Sequence, residues 1–168
     1  MKRRLSVLTF VPKMKPLIFV SALLLIGLSG AKSQASMSAT VTKTINIQAS
    51  SEKVWDFVND LSRWKNWAIH NVYDSREGEN DWWLMDGPRG TSRVRMNGNR
   101  SLGILDHEFI DPGEGHWTVP CRVVSANEGA HFMITFTKPV PMPDEAFEMG
   151  MKLLDEELQK LKAFIETN

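Results

Sequence analysis

The sequence predicts an α+β domain in which an antiparallel sheet packs against one long C-terminal helix. Two observations support this fold class. Short segments of alternating polar and apolar residues, separated by turns rich in glycine, proline and asparagine, fill the middle of the chain. A single apolar stripe with helical spacing then occupies residues 144–168. One strand and two short helices are expected ahead of the run of strands.

The first elements of the domain are a strand and a helix. The segment "TVTKTINIQAS", residues 40–50, alternates polar and apolar side chains, which is typical of a half-buried strand. Ser50 or Ser51 can then cap a helix, because a serine hydroxyl accepts a hydrogen bond from a backbone N–H of the first turn. Apolar residues recur at helical spacing through "SSEKVWDFVNDLSRW". A second short helix is expected at residues 62–67.

The middle of the chain predicts a meander of six strands. Turn signals at "REGEND", "DGPRG", "NGN", "DPGEG" and "ANEGA" separate the strand-like segments. The expected strands lie near residues 69–75, 81–86, 91–97, 102–110, 116–125 and 130–138.

The last element is one long helix. The segment "KPVPMPD" contains three prolines, which cannot continue a strand ladder, and Asp144 is expected to cap the helix that follows. The apolar stripe of this helix recurs every three or four residues at Phe147, Met151, Leu154, Leu158, Leu161 and Ile165.

The first 35 residues predict a cleaved export signal. They contain six lysines and arginines and no acidic residue, followed by an apolar run at residues 17–28 and by small residues that suit cleavage near Ala31 or Ala35. The run is shorter than the roughly 20 residues of a membrane span, so no stable span is expected after cleavage. Translation can start at Met1 or Met14. The prediction is a periplasmic or secreted protein with a single domain at residues 36–168.

The composition excludes several classes of function. Removing the first 35 residues leaves 14 basic against 20 acidic side chains, a balance that disfavours nucleic acid and anionic membranes as partners. The single cysteine, Cys121, rules out an internal disulfide. The four histidines show no metal-ligand spacing, and neither a serine-nucleophile motif nor a phosphate-binding loop occurs. We therefore expect no metal and no cofactor.

The segment "GILDHEFI", residues 103–110, raises the question of a catalytic pair. Because side chains alternate along a strand, Leu105, His107 and Phe109 should share the inward face. Asp106 should point the other way, and it can orient His107 only across a bulge. His107 is then either a hydrogen-bonded interior histidine or a residue that contacts a ligand or transfers a proton.

The order of elements carries a family resemblance. The opening "TVTKTINIQASSEKVWDFVNDLSRWKNWAIHNV", the segment "GILDHEFI" and the closing "VPCRVVSANEGAHFMITFTKPVPMPDEAFEMGMKLLDEELQKLKAFIE" resemble the SRPBCC superfamily of START-like proteins, in particular small bacterial polyketide-cyclase-like members. The resemblance implies a helix-grip fold, in which a seven-stranded antiparallel sheet wraps around the C-terminal helix and leaves an apolar cavity. Members bind lipids, polyketides, hormones or quinones, and a minority catalyse cyclisation or hydrolysis.

Three functions are compatible with these observations. The preferred one is an exported protein that holds a small hydrophobic ligand, similar to a lipid, polyketide or quinone, between sheet and helix. The residues expected to contact the ligand are His107, Leu105, Phe109, Met96, Met133, Met151 and Leu154. The alternatives are a cyclase or hydrolase with His107 as general base, and an accessory domain with a filled core that binds a partner. The sequence leaves the ligand and the oligomeric state open.

Overall fold

The computed structural model describes residues 39–113, 115–140 and 142–168, and the predicted export signal lies outside them. The strands are β1 Thr40–Ile47, β2 Asp74–Glu77, β3 Trp83–Gly87, β4 Gly90–Asn99, β5 Ile104–Asp111, β6 Gly115–Val119, β7 Cys121–Ala126 and β8 Gly129–Thr137. Two α-helices, α1 Ser51–Asn59 and α2 Asp144–Thr167, and two 3-10 helices, Leu61–Asn66 and Arg100–Leu102, complete the described elements.

All strand pairs are antiparallel and belong to one sheet. The order is β1-β8-β7-β5-β4-β3-β2, and β6 pairs with β5 beside this path. The two short helices follow β1, and the long helix follows the last strand. The predicted α+β fold class and the helix-grip order of elements are confirmed.

The sheet has one more strand than expected, because residues 116–125 form two strands. Pro120 separates β6 from β7, since proline has no N–H to donate to a ladder. The next backbone N–H, that of Cys121, donates to Asp106 Oδ1 at 2.9 Å instead of to a neighbouring strand. The chain can thereby pass from the edge strand β6 to the interior strand β7.

The strand predicted at residues 69–75 begins later. The chain turns after the first 3-10 helix, with Val72 N–H donating to the Ala68 carbonyl at 2.7 Å, and only Asp74–Glu77 pairs with β3. Ala68 and Val72 are buried in this turn. Their apolar character therefore reflects a packed loop, which we call the 68–72 loop.

Helix α1 and the following 3-10 helix begin with side-chain caps. Ser50 Oγ accepts from Lys53 N–H at 3.2 Å, and Asp60 Oδ1 accepts from Ser62 N–H at 3.1 Å. Each cap satisfies a backbone donor that has no partner within its own helix. Of the two predicted capping residues, Ser50 and Ser51, Ser50 is the one that caps α1.

Helix α2 buries the predicted stripe and is tied to the edge strand β1. Five of the six residues of the stripe are buried, namely Phe147, Leu154, Leu158, Leu161 and Ile165, and Met151 is half-buried. Three polar contacts connect the helix to β1 and to Gln48, the residue after it. Lys43 Nζ donates to Asp155 Oδ2 at 2.8 Å, and Lys162 Nζ donates to the Asn46 carbonyl at 2.6 Å. The Gln48 N–H donates to Glu166 Oε1 at 2.7 Å.

The predicted cap of α2 is wrong by one residue. Pro143 occupies the cap position, and no side chain accepts a hydrogen bond there. Asp144 is the first helical residue and pairs with Lys138 Nζ at 2.7 Å. A carboxylate in the first turn still interacts favourably with the helix dipole.

Candidate functional site

A cavity of about 190 Å³ lies between the sheet and the N-terminal half of α2. Strands β5, β6 and β8 form one wall, α2 forms another, and the first 3-10 helix with the 68–72 loop closes a third side. The apolar and aromatic lining includes Trp64, Trp67, Val72, Phe109, Trp117, Val119, Ile134, Phe136, Met142, Phe147, Met151 and Leu154. The polar lining side chains are Asn71, Arg89, His107, Thr137 and Glu157.

Aromatic contacts hold much of the wall in place. The Trp64 and Trp67 rings meet edge to face with centroids 5.3 Å apart, and Phe109 lies 5.1 Å from Trp117. The edge-to-face contact between Trp64 and the His107 imidazole is 4.9 Å. Flat, rigid side chains of this kind offer complementary faces to a planar apolar molecule.

His107 lies inside the domain with few polar contacts. Only 4% of the residue is exposed. Its Nδ1 lies 3.4 Å from the Leu105 carbonyl and 3.9 Å from the Cys121 thiol. Burial lowers the pKa of His107 to about 4 because the charged imidazolium cannot be hydrated there, and burial also raises the pKa of the Cys121 thiol. Near neutral pH the cavity therefore presents an uncharged imidazole, and the thiol that lies behind it in the core is also uncharged.

Asp106 belongs to the opposite face of β5. Its Oδ1 pairs with the Arg122 guanidinium and accepts the Cys121 backbone N–H. The ladder through this region is regular, with Asp106 opposite Asn97 and His107 opposite Met96 on β4. The strand has no bulge that would bring the two side chains together, so they do not form a catalytic dyad.

Glu157 is a buried carboxylate in the cavity wall. It is 2% exposed. Its Oε1 accepts the His70 backbone N–H at 2.8 Å, and the Asn71 amide lies 3.1 Å from both carboxylate oxygens. Burial raises the pKa of Glu157, while the hydrogen bonds from His70 and Asn71 oppose that change. Glu157 thus joins α2 to the 68–72 loop and also contributes a polar group to the cavity.

Trp67 contributes a donor to the same cavity. The residue is 3% exposed, and its buried indole Nε1–H has no hydrogen-bond partner within the described part of the chain. The neighbouring Trp64 differs, because its Nε1–H donates to the Val58 carbonyl at 2.8 Å. A buried donor without a partner is uncommon in folded proteins and requires an explanation.

Four of the seven residues expected to contact a ligand line the cavity: His107, Phe109, Met151 and Leu154. Leu105 is fully buried in the core, two residues before His107 on the same face of β5. Met96 lies opposite His107 on β4 but packs against the core outside the lining. Met133 lies on the other face of β8 from the buried Phe132 and Ile134, so alternation directs it away from the cavity.

Sequence reasoning missed the tryptophans and Glu157 as lining residues. The list of expected ligand contacts contains no tryptophan, although Trp64, Trp67 and Trp117 border the cavity. Glu157 is also missing from that list, yet it follows Leu154 by three residues and precedes Leu161 by four. That spacing places it within the apolar stripe and is the signal that identifies it.

The described residues contain neither a metal-binding cluster nor a membrane-spanning helix. No group of three or more histidine, cysteine or acidic side chains there is arranged to hold a metal ion. No helix among them combines the length and apolar character that crossing a membrane requires.

Comparison with known structures finds the same architecture at low sequence identity. XoxI from Bacillus cereus is 18% identical with a TM-score of 0.62, and the match covers 76% of this chain and 95% of that one. A START superfamily protein from Mycobacterium smegmatis is 14% identical with a TM-score of 0.59, covering 76% and 97%. The di-domain ARO/CYC StfQ from the steffimycin biosynthetic pathway is 18% identical with a TM-score of 0.60, covering 78% and 51%.

Comparison with families gives a more specific assignment. No curated protein matches the chain. The sequence model of the polyketide cyclase / dehydrase and lipid transport family matches residues 38–157, which is most of the domain. Together with the helix-grip architecture and the cavity between sheet and helix, this match shows that the chain belongs to that family, within the START-like SRPBCC superfamily.

Proposed function

We propose that the protein is an exported carrier or sensor that holds one small hydrophobic molecule in the cavity between the sheet and α2. The observation that carries the proposal is the aromatic and aliphatic lining of a cavity of about 190 Å³. Cavities with mostly apolar walls and a few polar groups are the usual form of small-molecule sites.

The cavity size restricts the ligand. An apolar cavity of about 150 Å³ accepts benzene, whereas pockets for drug-sized ligands measure about 300–1,000 Å³. A volume of about 190 Å³ therefore suits a molecule with one or two rings, or a short chain. Within the lipid-, polyketide- or quinone-like range, we expect the smallest members to bind.

The environment of His107 supports binding over general-base catalysis. A general base works best when its pKa lies near the operating pH, and burial lowers the pKa of His107 to about 4. The carboxylate next to it in sequence, Asp106, is engaged with Arg122 on the other face of the strand. The accessory-domain alternative assumed a filled core, and the cavity favours a ligand instead.

Export is supported by the sequence alone. The order of basic, apolar and small residues within residues 1–35 is that of an export signal. A carrier located outside the cytoplasm would hold an apolar molecule in water, where such a molecule is poorly soluble.

A cavity-filling substitution tests the proposal. Gly150 lines the cavity, and apart from the adjacent turns of α2 no described residue comes within 4 Å of a Cβ atom placed on it. Gly150→Leu should therefore place a side chain in the cavity and abolish binding of toluene, measured by calorimetry on the folded variant. Met149→Leu, at an exposed neighbouring position, is the matched control and should bind as wild type does.

Native mass spectrometry of protein isolated from its own cell envelope provides the second test. A co-purifying small molecule that is absent from Gly150→Leu would support the proposal. Toluene binding of equal affinity in wild type and Gly150→Leu would place the site elsewhere and overturn it.

A further inference from the structure

The polar side chains that line the cavity indicate which hydrogen-bonding group a ligand should have. Glu157 accepts hydrogen bonds from His70 N–H and from the Asn71 amide. An ionised carboxylate has about four acceptor positions, so Glu157 retains capacity for another donor. Because Glu157 lines the cavity, a ligand bound there can supply that donor.

The second group is the indole of Trp67. Its Nε1–H is buried and has no partner among the residues described, whereas both Trp67 and Glu157 belong to the cavity lining. The residues that line the cavity therefore include an unpartnered donor and an acceptor with spare capacity. A hydroxyl group is the smallest ligand group that both donates and accepts.

We propose that Glu157 and Trp67 determine specificity, and that the cavity selects a compact, uncharged, ring-containing molecule that bears a hydroxyl group. The hydroxyl donates to the Glu157 carboxylate and accepts from Trp67 Nε1–H, while the ring lies among the aromatic side chains. This inference rests on the proposed function, because it assumes that the cavity is the ligand site.

The charge of the lining excludes carboxylate ligands of the same size. A ligand carboxylate would place a second negative charge beside Glu157 without hydration. Arg89 is the cationic residue of the lining, and its guanidinium already contacts the buried Asp111 at 3.2 and 3.3 Å. The cavity should therefore prefer an alcohol or a phenol over a carboxylic acid with the same ring.

A purely structural role is the alternative for Glu157. Its bonds to His70 and Asn71 fasten the 68–72 loop to α2, and that function alone would explain a buried carboxylate. The two roles predict different ratios between the affinity for a ligand with a hydroxyl group and the affinity for a similar ligand without one. A fastening role affects stability and the binding of every ligand alike, whereas a recognition role affects only ligands with a hydroxyl group.

The experiment compares 4-ethylphenol with 4-ethyltoluene, which replaces the hydroxyl by a methyl group of similar size. Calorimetry is performed on wild type, Glu157→Gln and the control Glu156→Gln, whose carboxylate is exposed. Wild type should bind the phenol about tenfold more tightly, because hydrogen bonds to charged groups are strong. Glu157→Gln should lose most of that preference with unchanged affinity for 4-ethyltoluene, and Glu156→Gln should behave as wild type.

Two further measurements keep the inference separate from the proposed function. Trp67→Phe removes the donor and should also lower the phenol preference, which tests the inference even if Glu157→Gln fails to fold. Equal affinities of wild type for 4-ethylphenol and 4-ethyltoluene would overturn the inference alone. An unchanged preference for 4-ethylphenol in both Glu157→Gln and Trp67→Phe would do the same. Failure of wild type to bind either probe would overturn the proposed function itself.

Discussion

His107 and Asp106 are adjacent in sequence and lie on opposite faces of β5. The imidazole packs edge to face on Trp64 inside the domain, whereas the carboxylate pairs with Arg122. The regular pairing of β5 with β4 maintains this separation. Substitutions of the two residues should therefore have unrelated consequences, unlike those of a catalytic pair, whose members act as one unit.

The first prediction separates the two side chains by mutation. His107→Leu removes the ring nitrogens at similar bulk, so we expect altered affinity for a small aromatic probe and a folded domain. Asp106→Asn keeps an oxygen that can accept the Cys121 N–H, so binding should stay unchanged and the free energy of unfolding should fall by less than about 1 kcal/mol. Calorimetric titration with 4-ethyltoluene and urea denaturation measure the two effects. Matching losses of affinity in both variants would show that the residues cooperate.

The second prediction concerns acid stability. The His107 pKa is about 4 in the folded protein and 6.5 in the unfolded chain, so protons bind preferentially to the unfolded state between these values. Stability from the neutral imidazole is present above pH 6.5 and is lost as the pH falls toward 4, by up to about 3 kcal/mol.

Comparison with His107→Leu isolates this contribution. Urea denaturation at several pH values from 7 to 4 should show wild type losing stability relative to the variant. Hydrogen bonds from Asn97 and Arg95 lower the pKa of Glu108 to about 2. The stability that this carboxylate contributes is therefore lost only as the pH falls from its ordinary pKa of 4.5 toward 2. Parallel pH profiles for wild type and His107→Leu would contradict the burial of a neutral histidine.

The buried faces of β5 and α2 could be predicted from the sequence, because alternation and helical spacing are local properties. Period-two alternation placed His107 inside and Asp106 outside, because one face of β5 is buried. The stripe of α2 predicted the buried Leu154 and Leu158, because a helix has 3.6 residues per turn. These patterns depend only on local geometry, which the sequence specifies directly.

Other features depend on contacts between distant segments. The sequence alone does not distinguish Glu157 from the surface acids of α2 by its partners, because His70 and Asn71 lie 87 and 86 residues away in sequence. The apolar residues after Trp67 suited a strand equally well until the turn ending at Val72 was known. Met133 was wrongly expected to contact the ligand, because alternation alone does not tell which face of a strand the cavity lies on, and that depends on the whole sheet.

The third prediction tests how α2 is oriented. Leu154 is 5% exposed and borders the cavity. Leu154→Ala should lower the free energy of unfolding by about 2–5 kcal/mol through lost burial and an enlarged cavity. Glu156 is exposed and its carboxylate lies 2.9 Å from His70 Nε2, so Glu156→Ala should have almost no effect. Chemical denaturation of both variants decides the matter, and equal losses would mean that the helix faces the sheet differently.

The fourth prediction concerns the N-terminus. If residues 1–35 are an export signal, protein recovered from cells should begin near Lys32 or Ser36 and fractionate outside the cytoplasm. N-terminal sequencing of the fractionated protein is the measurement. A chain that retains Met1 or Met14 in the cytosolic fraction would refute export and leave the ligand proposal to be tested separately.

The last prediction links β3 to the polar end of the cavity through a single glycine. A Cβ atom on Gly87 would lie 2.3 Å from the Asn71 backbone carbonyl oxygen, too close for the chain to accommodate without moving. Asn71 in turn holds Glu157 through its side-chain amide. Gly87→Ala should displace the 68–72 loop, lower the free energy of unfolding by about 1–3 kcal/mol and weaken the preference for 4-ethylphenol over 4-ethyltoluene.

Gly113→Ala is the matched control, because a Cβ atom there would lie at an ordinary 3.5 Å from Asp111 Oδ1. Urea denaturation and calorimetry on both variants provide the readouts, and a Gly87→Ala protein with wild-type stability and preference would show that close packing against Asn71 does not position Glu157.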